Sequence, residues 1–179
     1  VERTVTVVDT TAQSLALVGA TSVTHEAGTA YTDLGATSSD IVDGDLTSNI
    51  SVTNAVDSEK VGIYKVTHRV IDAAGNASSV ERTVTVVDTT APSLALVGAT
   101  SVTHAAGTAY TDLGATSSAI VDGDLTSNIS VTNAVDSEKV GIYKVTHRAI
   151  DAAGNATYVD RSRIPIVRCV RPVHVKVLC

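Results

Sequence analysis

Apolar and polar residues alternate along this chain in short runs that are separated by turn-forming residues. The longest run covers residues 62–72, in which Val66, His68 and Val70 share one face and Lys65 lies on the other. Alternation with a period of two is typical of a half-buried β-strand, and no stretch keeps a helical period over three turns. The other predicted strands cover residues 1–8, 14–19, 22–25, 28–36, 50–54 and 80–87.

Two polar stretches are predicted to be turns. Residues 38–47 hold three aspartates around a glycine, and residues 73–76 read Ala-Ala-Gly-Asn, the composition of a tight turn. About seven short strands with turn signals roughly every 8–12 residues are the pattern of a β-sandwich. The sequence therefore predicts an all-β fold.

The whole pattern occurs twice. Residues 1–12 return unchanged as residues 80–91, an offset of 80 − 1 = 79 residues. Such similarity predicts two tandem domains, duplicated within a longer array. We assign residues 1–9 to the orphan closing strand of a preceding repeat, 10–88 to the first repeat, 89–167 to the second, and 168–179 to a divergent basic tail. Between residues 1–78 and 80–157, the differences are Gln13/Pro92, Glu26/Ala105, Asp40/Ala119, Val70/Ala149 and Ser78/Thr157.

Composition narrows the classes of function. The formal net charge of −6 argues against nucleic acid as a partner, and no apolar run reaches the roughly 20 residues of a membrane span. The chain begins with Val and shows no signal peptide, so we interpret it as processed or as a fragment of something longer. Its two cysteines, Cys169 and Cys179, lie in the tail. The sequence leaves open whether they pair together, bridge to another chain or stay reduced.

Five spaced motifs recur in register in both copies. In the second copy they are residues 88–92 (DTTAP), 107–115 (GTAYTDLGA), 121–126 (VDGDLT), 141–145 (GIYKV) and 151–155 (DAAGN). In this order they resemble the bacterial immunoglobulin-like repeats found in tandem in large secreted and surface proteins, close to the HYR-type domains. The resemblance implies two tandem immunoglobulin-like β-sandwich domains that act as a spacer or adhesion module, without catalysis. It fails in the tail, and in the first copy Gln13 replaces the usual linker proline.

Tyr64 and its copy Tyr143 resemble the tyrosine corner of immunoglobulin sandwiches. Because each lies inside a predicted strand, we expect structural side chains whose hydroxyls bind the backbone. Four histidines invite a metal interpretation, but they lack a spaced partner motif and are more often packed or edge residues. No nucleophile with a spaced histidine and acid is present, so an enzyme is not expected. The histidines are His25, His68, His104 and His147.

Acidic residues are the main candidate metal ligands. Carboxylate and carbonyl oxygens suit Ca²⁺, loops at one end of a sandwich can converge, and Gly44 permits a sharp turn. The alternative is that these residues cap their own turns, and their spacing is not that of an EF-hand. The candidate calcium ligands are Asp40, Asp43, Asp45, Asp72 and Asn76 in the first repeat and Asp122, Asp124, Asp151 and Asn155 in the second, where Ala119 replaces Asp40.

Two functions from different classes fit the sequence. The first is an extracellular or cell-surface structural repeat that serves as a rigid spacer, whose neighbours are copies of the same repeat. The second is a module that binds carbohydrate or a cell surface through its loops. Sugar sites usually offer an aromatic platform, and aromatic residues are only 3% of this chain, all of them Tyr. The composition therefore favours the spacer.

The closing strand of the second repeat is expected to be defective. At an offset of 79 residues, Val84 aligns with Arg163 and Val86 with Pro165. The inward positions of the two valines would then hold a charged side chain and a proline, which has no backbone N–H to donate to the neighbouring strand. We therefore hypothesise that residues 1–8 of one molecule complete the second repeat of the next by donor-strand addition, which would build a fibre. The alternative is that Val1 is merely where a fragment was cut. The predicted inter-subunit strand residues are Val1, Thr4, Val5 and Val7.

Overall fold

The computed structural model describes residues 1–167, and it divides into two compact units between Asp88 and Thr89. The regular structure in this part of the chain is almost entirely β-strand, with one short 3-10 turn in each unit. Residues 1–13 form no strand, so the strand predicted over residues 1–8 is absent. The same letters do form a strand at residues 80–87, because there they lie between two other strands of one sheet.

The first unit contains two sheets. One has the order β1-β3-β4, and the other has the order β5-β6-β7-β2. All pairs are antiparallel except β2 and β7, which run in parallel. The strands are β1 (Ser14–Leu17), β2 (Ser22–Glu26), β3 (Ala36–Asp40), β4 (Gly44–Asp45), β5 (Ser51–Asn54), β6 (Gly62–Ile71) and β7 (Ala77–Val87), with a 3-10 helix at Thr47–Asn49.

The second unit repeats this plan. Its sheets have the orders β8-β10-β11 and β12-β13-β14-β9, and again one pair, β14 with β9, is parallel. The strands are β8 (Ser93–Leu96), β9 (His104–Ala105), β10 (Ala115–Ala119), β11 (Gly123–Asp124), β12 (Ser130–Asn133), β13 (Gly141–Ile150) and β14 (Ala156–Val167), with a 3-10 helix at Thr126–Asn128.

The predicted boundary between the third strand and its following turn is wrong. The strand β3 occupies Ala36–Asp40 and so runs into the stretch 38–47 that is predicted to be a turn, whereas residues 28–35 of the predicted strand are irregular. Its central residue, Ser38, is buried, and its hydroxyl donates to the carbonyl of Ser14 on β1 at 2.7 Å. Small hydroxyl side chains can thus line a buried strand when each finds a backbone acceptor.

The prediction of a defective closing strand in the second repeat is also wrong. In β14 the register slips by one residue, so that Tyr143 faces Ile164 while Lys144 faces Ser162. Arg163 is the extra residue of this β-bulge. Ile164 and Ile166 therefore take the inward positions, and they are 0% and 1% exposed. The second repeat closes with its own strand.

The core of each unit is a thin layer of branched aliphatic side chains. In the first unit Val66, Val70, Val84 and Val86 are at most 1% exposed. In the second unit Ala149 replaces Val70, and isoleucines replace the two valines of the closing strand. A histidine and an arginine are equally buried in this layer of each unit: His68 and Arg82 in the first, His147 and Arg161 in the second.

Candidate functional site

A buried polar cluster lies at the centre of the first repeat. It consists of Tyr31, Asp33, His68 and Arg82. The side chains of His68 and Arg82 are 0% and 1% exposed, and that of Asp33 is 9% exposed. Asp33 Oδ1 lies 3.0 Å from His68 Nε2, and Asp33 Oδ2 lies 2.7 Å from Arg82 Nε. The Tyr31 hydroxyl donates to Asp33 Oδ2 at 3.0 Å, so one carboxylate holds three side chains together.

Arg82 also ties the closing strand β7 to the irregular backbone that joins β1 to β2 and precedes β3. Its Nη1 donates to the carbonyl of Ala20 at 2.6 Å, and its Nη2 donates to the carbonyls of Val18 and Gly35 at 2.7 and 3.2 Å. A guanidinium group suits this task because its donors form a fixed planar fork. These bonds satisfy the buried cation, as burial of a charge requires.

The second repeat has the same cluster. Asp112 accepts hydrogen bonds from His147 Nε2 at 2.9 Å, Arg161 Nε at 2.7 Å and the Tyr110 hydroxyl at 2.9 Å. Arg161 Nη2 donates to the carbonyls of Val97 and Gly114, and Nη1 donates to that of Ala99. Burial and the neighbouring Asp112 carboxylate raise the pKa of Tyr110 to about 12. Its hydroxyl is therefore held as a donor.

The central carboxylate is stabilised in its charged form. Burial alone would raise the pKa of Asp33, but hydrogen bonds from the Gly35 N–H and the Tyr31 hydroxyl, together with the charge of Arg82, hold it below the ordinary value. In this cluster the carboxylate faces its own cation and donors, with little surface open to a substrate. The contacts therefore support a structural role, in which the cluster joins β6 and β7 to the irregular segments beside β1 and β3.

Sequence reasoning placed His68 on the inward face but missed Asp33 and Arg82. A signal was present for Arg82, because it alternates in phase with Val84 and Val86, which are both buried. An arginine in the inward phase of a closing strand calls for a buried acid. Nothing in the local pattern around Asp33 identified it as that acid.

The predicted calcium ligands of the first repeat are divided between different roles. Asp45 Oδ1 accepts the N–H of Thr47, and Asp72 accepts the backbone and side-chain N–H groups of Asn76. These residues cap their own turns. Asp43 differs, because its Oδ2 accepts the N–H of Ala73 at 2.9 Å and so connects two loops.

The second repeat shows the same turn-capping arrangement. Asp124 Oδ1 accepts the N–H of Thr126, and Asp151 accepts the backbone and side-chain N–H groups of Asn155. Asp122 Oδ2 accepts the N–H of Ala152 at 2.9 Å, as its counterpart does in the first repeat. Ala119 supplies no carboxylate beside this loop.

Asp9, which was not a predicted ligand, completes an acidic cluster with Asp40 and Asp43. One ligand oxygen from each of the three lies within 4.8 Å of the others. The Oδ2 atom of Asp9 is buried and accepts no hydrogen bond from the described residues, while Oδ1 accepts the N–H of Thr11. The structure therefore brings together two of the five predicted ligands, Asp40 and Asp43, with a residue of the irregular segment 1–13 that precedes β1.

The tyrosine and remaining histidine side chains contact nearby groups of the fold. The hydroxyls of Tyr64 and Tyr143 donate to the carbonyls of Lys60 and Lys139 at 2.9 and 3.0 Å. His25 packs edge-on against Tyr31, with ring centroids 5.3 Å apart, and its Nε2 lies 2.8 Å from the carbonyl oxygen of Thr29. The predictions about Cys169 and Cys179 lie outside the described residues.

Comparison with known proteins identifies the class of repeat. Residues 15–86 and 94–163 match the family described as "Bacterial surface protein, Ig-like domain". The chain belongs to this family, and the predicted fold of two tandem immunoglobulin-like domains is confirmed. Within residues 1–167, no helix is long and apolar enough to span a membrane.

Individual relatives are more distant. An "Uncharacterized 81.3 kDa protein" of Acholeplasma phage L2 is 32% identical over 111 residues, which are 59% of this chain and 15% of the phage protein. The lipoprotein BT2262 of Bacteroides thetaiotaomicron aligns with a TM-score of 0.40 at 15% identity, over 82% of this chain and 77% of its own. A structure of Clostridium perfringens ZmpB, which holds an M60 catalytic domain and two CBM51 domains, aligns with a TM-score of 0.45 at 12% identity, over 88% of this chain and 31% of its own.

Proposed function

We propose that this chain is an extracellular, non-catalytic spacer segment of a bacterial surface protein. The observation that carries the proposal is the tandem arrangement of two repeats of one surface-protein family, nearly identical in sequence. In both copies the most buried polar side chains bind one another or the protein's own backbone. A repeat of this kind adds length and presents other domains.

Donor-strand polymerisation is not part of this proposal. The edge that residues 1–8 of a second molecule would fill is occupied by Ala156–Val167, with Ile164 and Ile166 in the core.

The alternative is a module that binds glycans or cell surfaces, and a binding assay separates it from the spacer. Soluble chain carrying residues 1–179 is applied to a glycan array and to bacterial and host cells in a pelleting assay. A spacer gives no saturable binding in either format. Reproducible, saturable binding to one class of glycan or cell would overturn the proposal in favour of the alternative.

We also propose that the first repeat binds Ca²⁺ through Asp9, Asp40 and Asp43. Two features support it: the three carboxylates converge within 4.8 Å, and Asp9 Oδ2 is buried without a hydrogen-bond donor among the described residues. A buried carboxylate oxygen without a donor is costly, and a hard divalent cation with oxygen ligands would remove that cost. The second repeat has Ala119 in place of Asp40, so the proposal excludes an equivalent three-carboxylate site there.

A further inference from the structure

Each repeat contains two parallel strands that are loaded in opposite directions when the chain is pulled. In the first repeat β2 pairs with β7 in parallel, from Ser22 opposite Thr83 to Glu26 opposite Val87. Tension pulls β2 backward from its N-terminal end and pulls β7 forward from its C-terminal end. The two strands must therefore slide past each other, and the bonds between them carry the load together rather than opening one by one.

Arg82 reinforces the same path just before β2 begins. Its Nη atoms hold the carbonyls of Val18 and Ala20, and the N–H of Thr83 donates to the carbonyl of Thr21 at 2.9 Å. The closing strand thus holds the segment that joins β1 to β2. Load that detaches β1 reaches these bonds before it reaches the parallel strands.

We propose that the arginine and the parallel strand pair form a mechanical clamp, which makes the repeat resistant to tension along the chain. The inference deepens the proposed spacer function, because a spacer between a cell and a distal domain is loaded end to end. Resistance to force is measured without any cell or ligand. Its failure is therefore distinguishable from failure of the spacer function, which the binding assay tests.

The two repeats differ in the length of this clamp. Among the described residues, the parallel pair of the second repeat joins His104 and Ala105 to Ile166 and Val167, whereas five residues of β2 are paired with β7 in the first. Arg161 makes the same carbonyl bonds as Arg82. The second repeat keeps the arginine but has a shorter sliding interface, so it is expected to yield first.

Single-molecule pulling of the full 179-residue chain, through handles at its two ends, tests the proposal. About ten Gly and Ser residues are inserted after the exposed Glu138 of the second repeat in one chain, and after its exposed counterpart Glu59 of the first repeat in another. The added length identifies the repeat that unfolds, and any weakening by the insertion affects each repeat in turn. At constant force the second repeat is expected to unfold first in both chains. The proposal is overturned if the first repeat unfolds first.

Arg82→Lys tests the arginine. It keeps the charge beside Asp33 but loses the planar fork, so the unfolding rate of the first repeat under force is expected to rise about tenfold or more. The matched control is Val70→Ala, a core change outside the clamp that the second repeat already carries as Ala149. The control should lower the Tm but change the rate under force less than about threefold. Equal acceleration by both variants, at equal loss of Tm, would overturn the clamp. If Arg82→Lys does not fold, the order of unfolding in the two marked chains still decides.

Discussion

At the scale of single residues, the repeat depends on one buried acid. Asp33 faces the cation of Arg82 and the ring of His68 in a layer that is otherwise aliphatic. Removing one partner of such a pair leaves the other charge buried without compensation, which typically costs about 3–5 kcal/mol. Most of the stability of a repeat of this size can be lost with that one side chain.

The first prediction is that Asp33→Asn lowers the Tm of the first repeat by at least about 12 °C at pH 7, since 1 kcal/mol is worth about 4–8 °C in a domain of this size. The folded pKa of Asp33 is below its ordinary value of 3.8. Its charge therefore contributes full stability above about pH 4, and this contribution is lost as the pH falls through the folded pKa.

The Tm difference between wild type and Asp33→Asn should therefore be constant from pH 7 to 5 and shrink below about pH 4. Calorimetric melts across this pH series measure it. Asp112→Asn is the matched change in the second repeat. It should lower the Tm of the second repeat with the same pH dependence. A Tm difference that is unchanged at pH 3 would show that the charge of Asp33 is not what stabilises the repeat.

At the scale of strands and loops, the sequence predicted the long strands correctly but was less successful with where shorter strands begin and which of their residues point inward. Residues 62–72 were predicted as a strand with His68 inward, and β6 covers Gly62–Ile71 with His68 fully buried. Period-two alternation was sufficient there, because the strand is long and its inward residues are apolar or aromatic. The strand β3 was missed because its inward residue is Ser38, whose burial depends on a carbonyl 24 positions away in sequence.

The closing strand of the second repeat shows a different limit. Alignment at a constant offset of 79 residues assumes that no residue is added within a strand. A β-bulge adds one residue within the strand, so every later side chain lies on the face opposite to the one that the constant offset predicts. Ile164 and Ile166 are two positions apart and therefore share one face of a strand. This spacing was the signal in the sequence that these two apolar residues point into the core.

The acidic loops mark a third limit. The sequence pattern identifies aspartates near turns, but most of them cap their own backbone. Asp9 reaches Asp40 and Asp43 only because the irregular segment before β1 folds back towards their loop. Residues 31 positions apart in sequence offer no local spacing that would identify them as neighbours.

The calcium proposal makes a prediction at this scale. A calcium concentration one hundred times the Kd should stabilise the first repeat by about 2.7 kcal/mol, and chelation should reverse the gain. Asp40→Ala, which copies Ala119 of the second repeat, should abolish the response. Asp45→Asn is the control, because Asp45 caps Thr47 outside the cluster and its loss should lower the Tm but keep the calcium response. Melting curves that are identical with calcium and with chelator would rule out the site.

At the scale of the whole molecule, the two repeats are complete without help from a second chain. Each compact unit has its own closing strand, and the inward residues of both strands are buried. Residues 1–8 have the same sequence as the first repeat's closing strand, yet Val1, Val5 and Val7 are almost fully exposed. Residues 1–8 are therefore not needed to complete the second repeat, whose edge is already filled by its own closing strand.

Deletion of residues 1–8 tests this independence. Residues 9–13 are retained, so the acidic cluster of the first repeat stays complete. The deleted side chains are exposed, and the second repeat is already closed by Ala156–Val167. The free energy of unfolding of the shortened chain should therefore lie within about 0.5 kcal/mol of that of the full chain. The two chains should also sediment alike at every concentration. If the full chain forms polymers that the shortened chain does not, residues 1–8 do act as a donor strand, and the closing strand of the second repeat must then be displaced in the polymer.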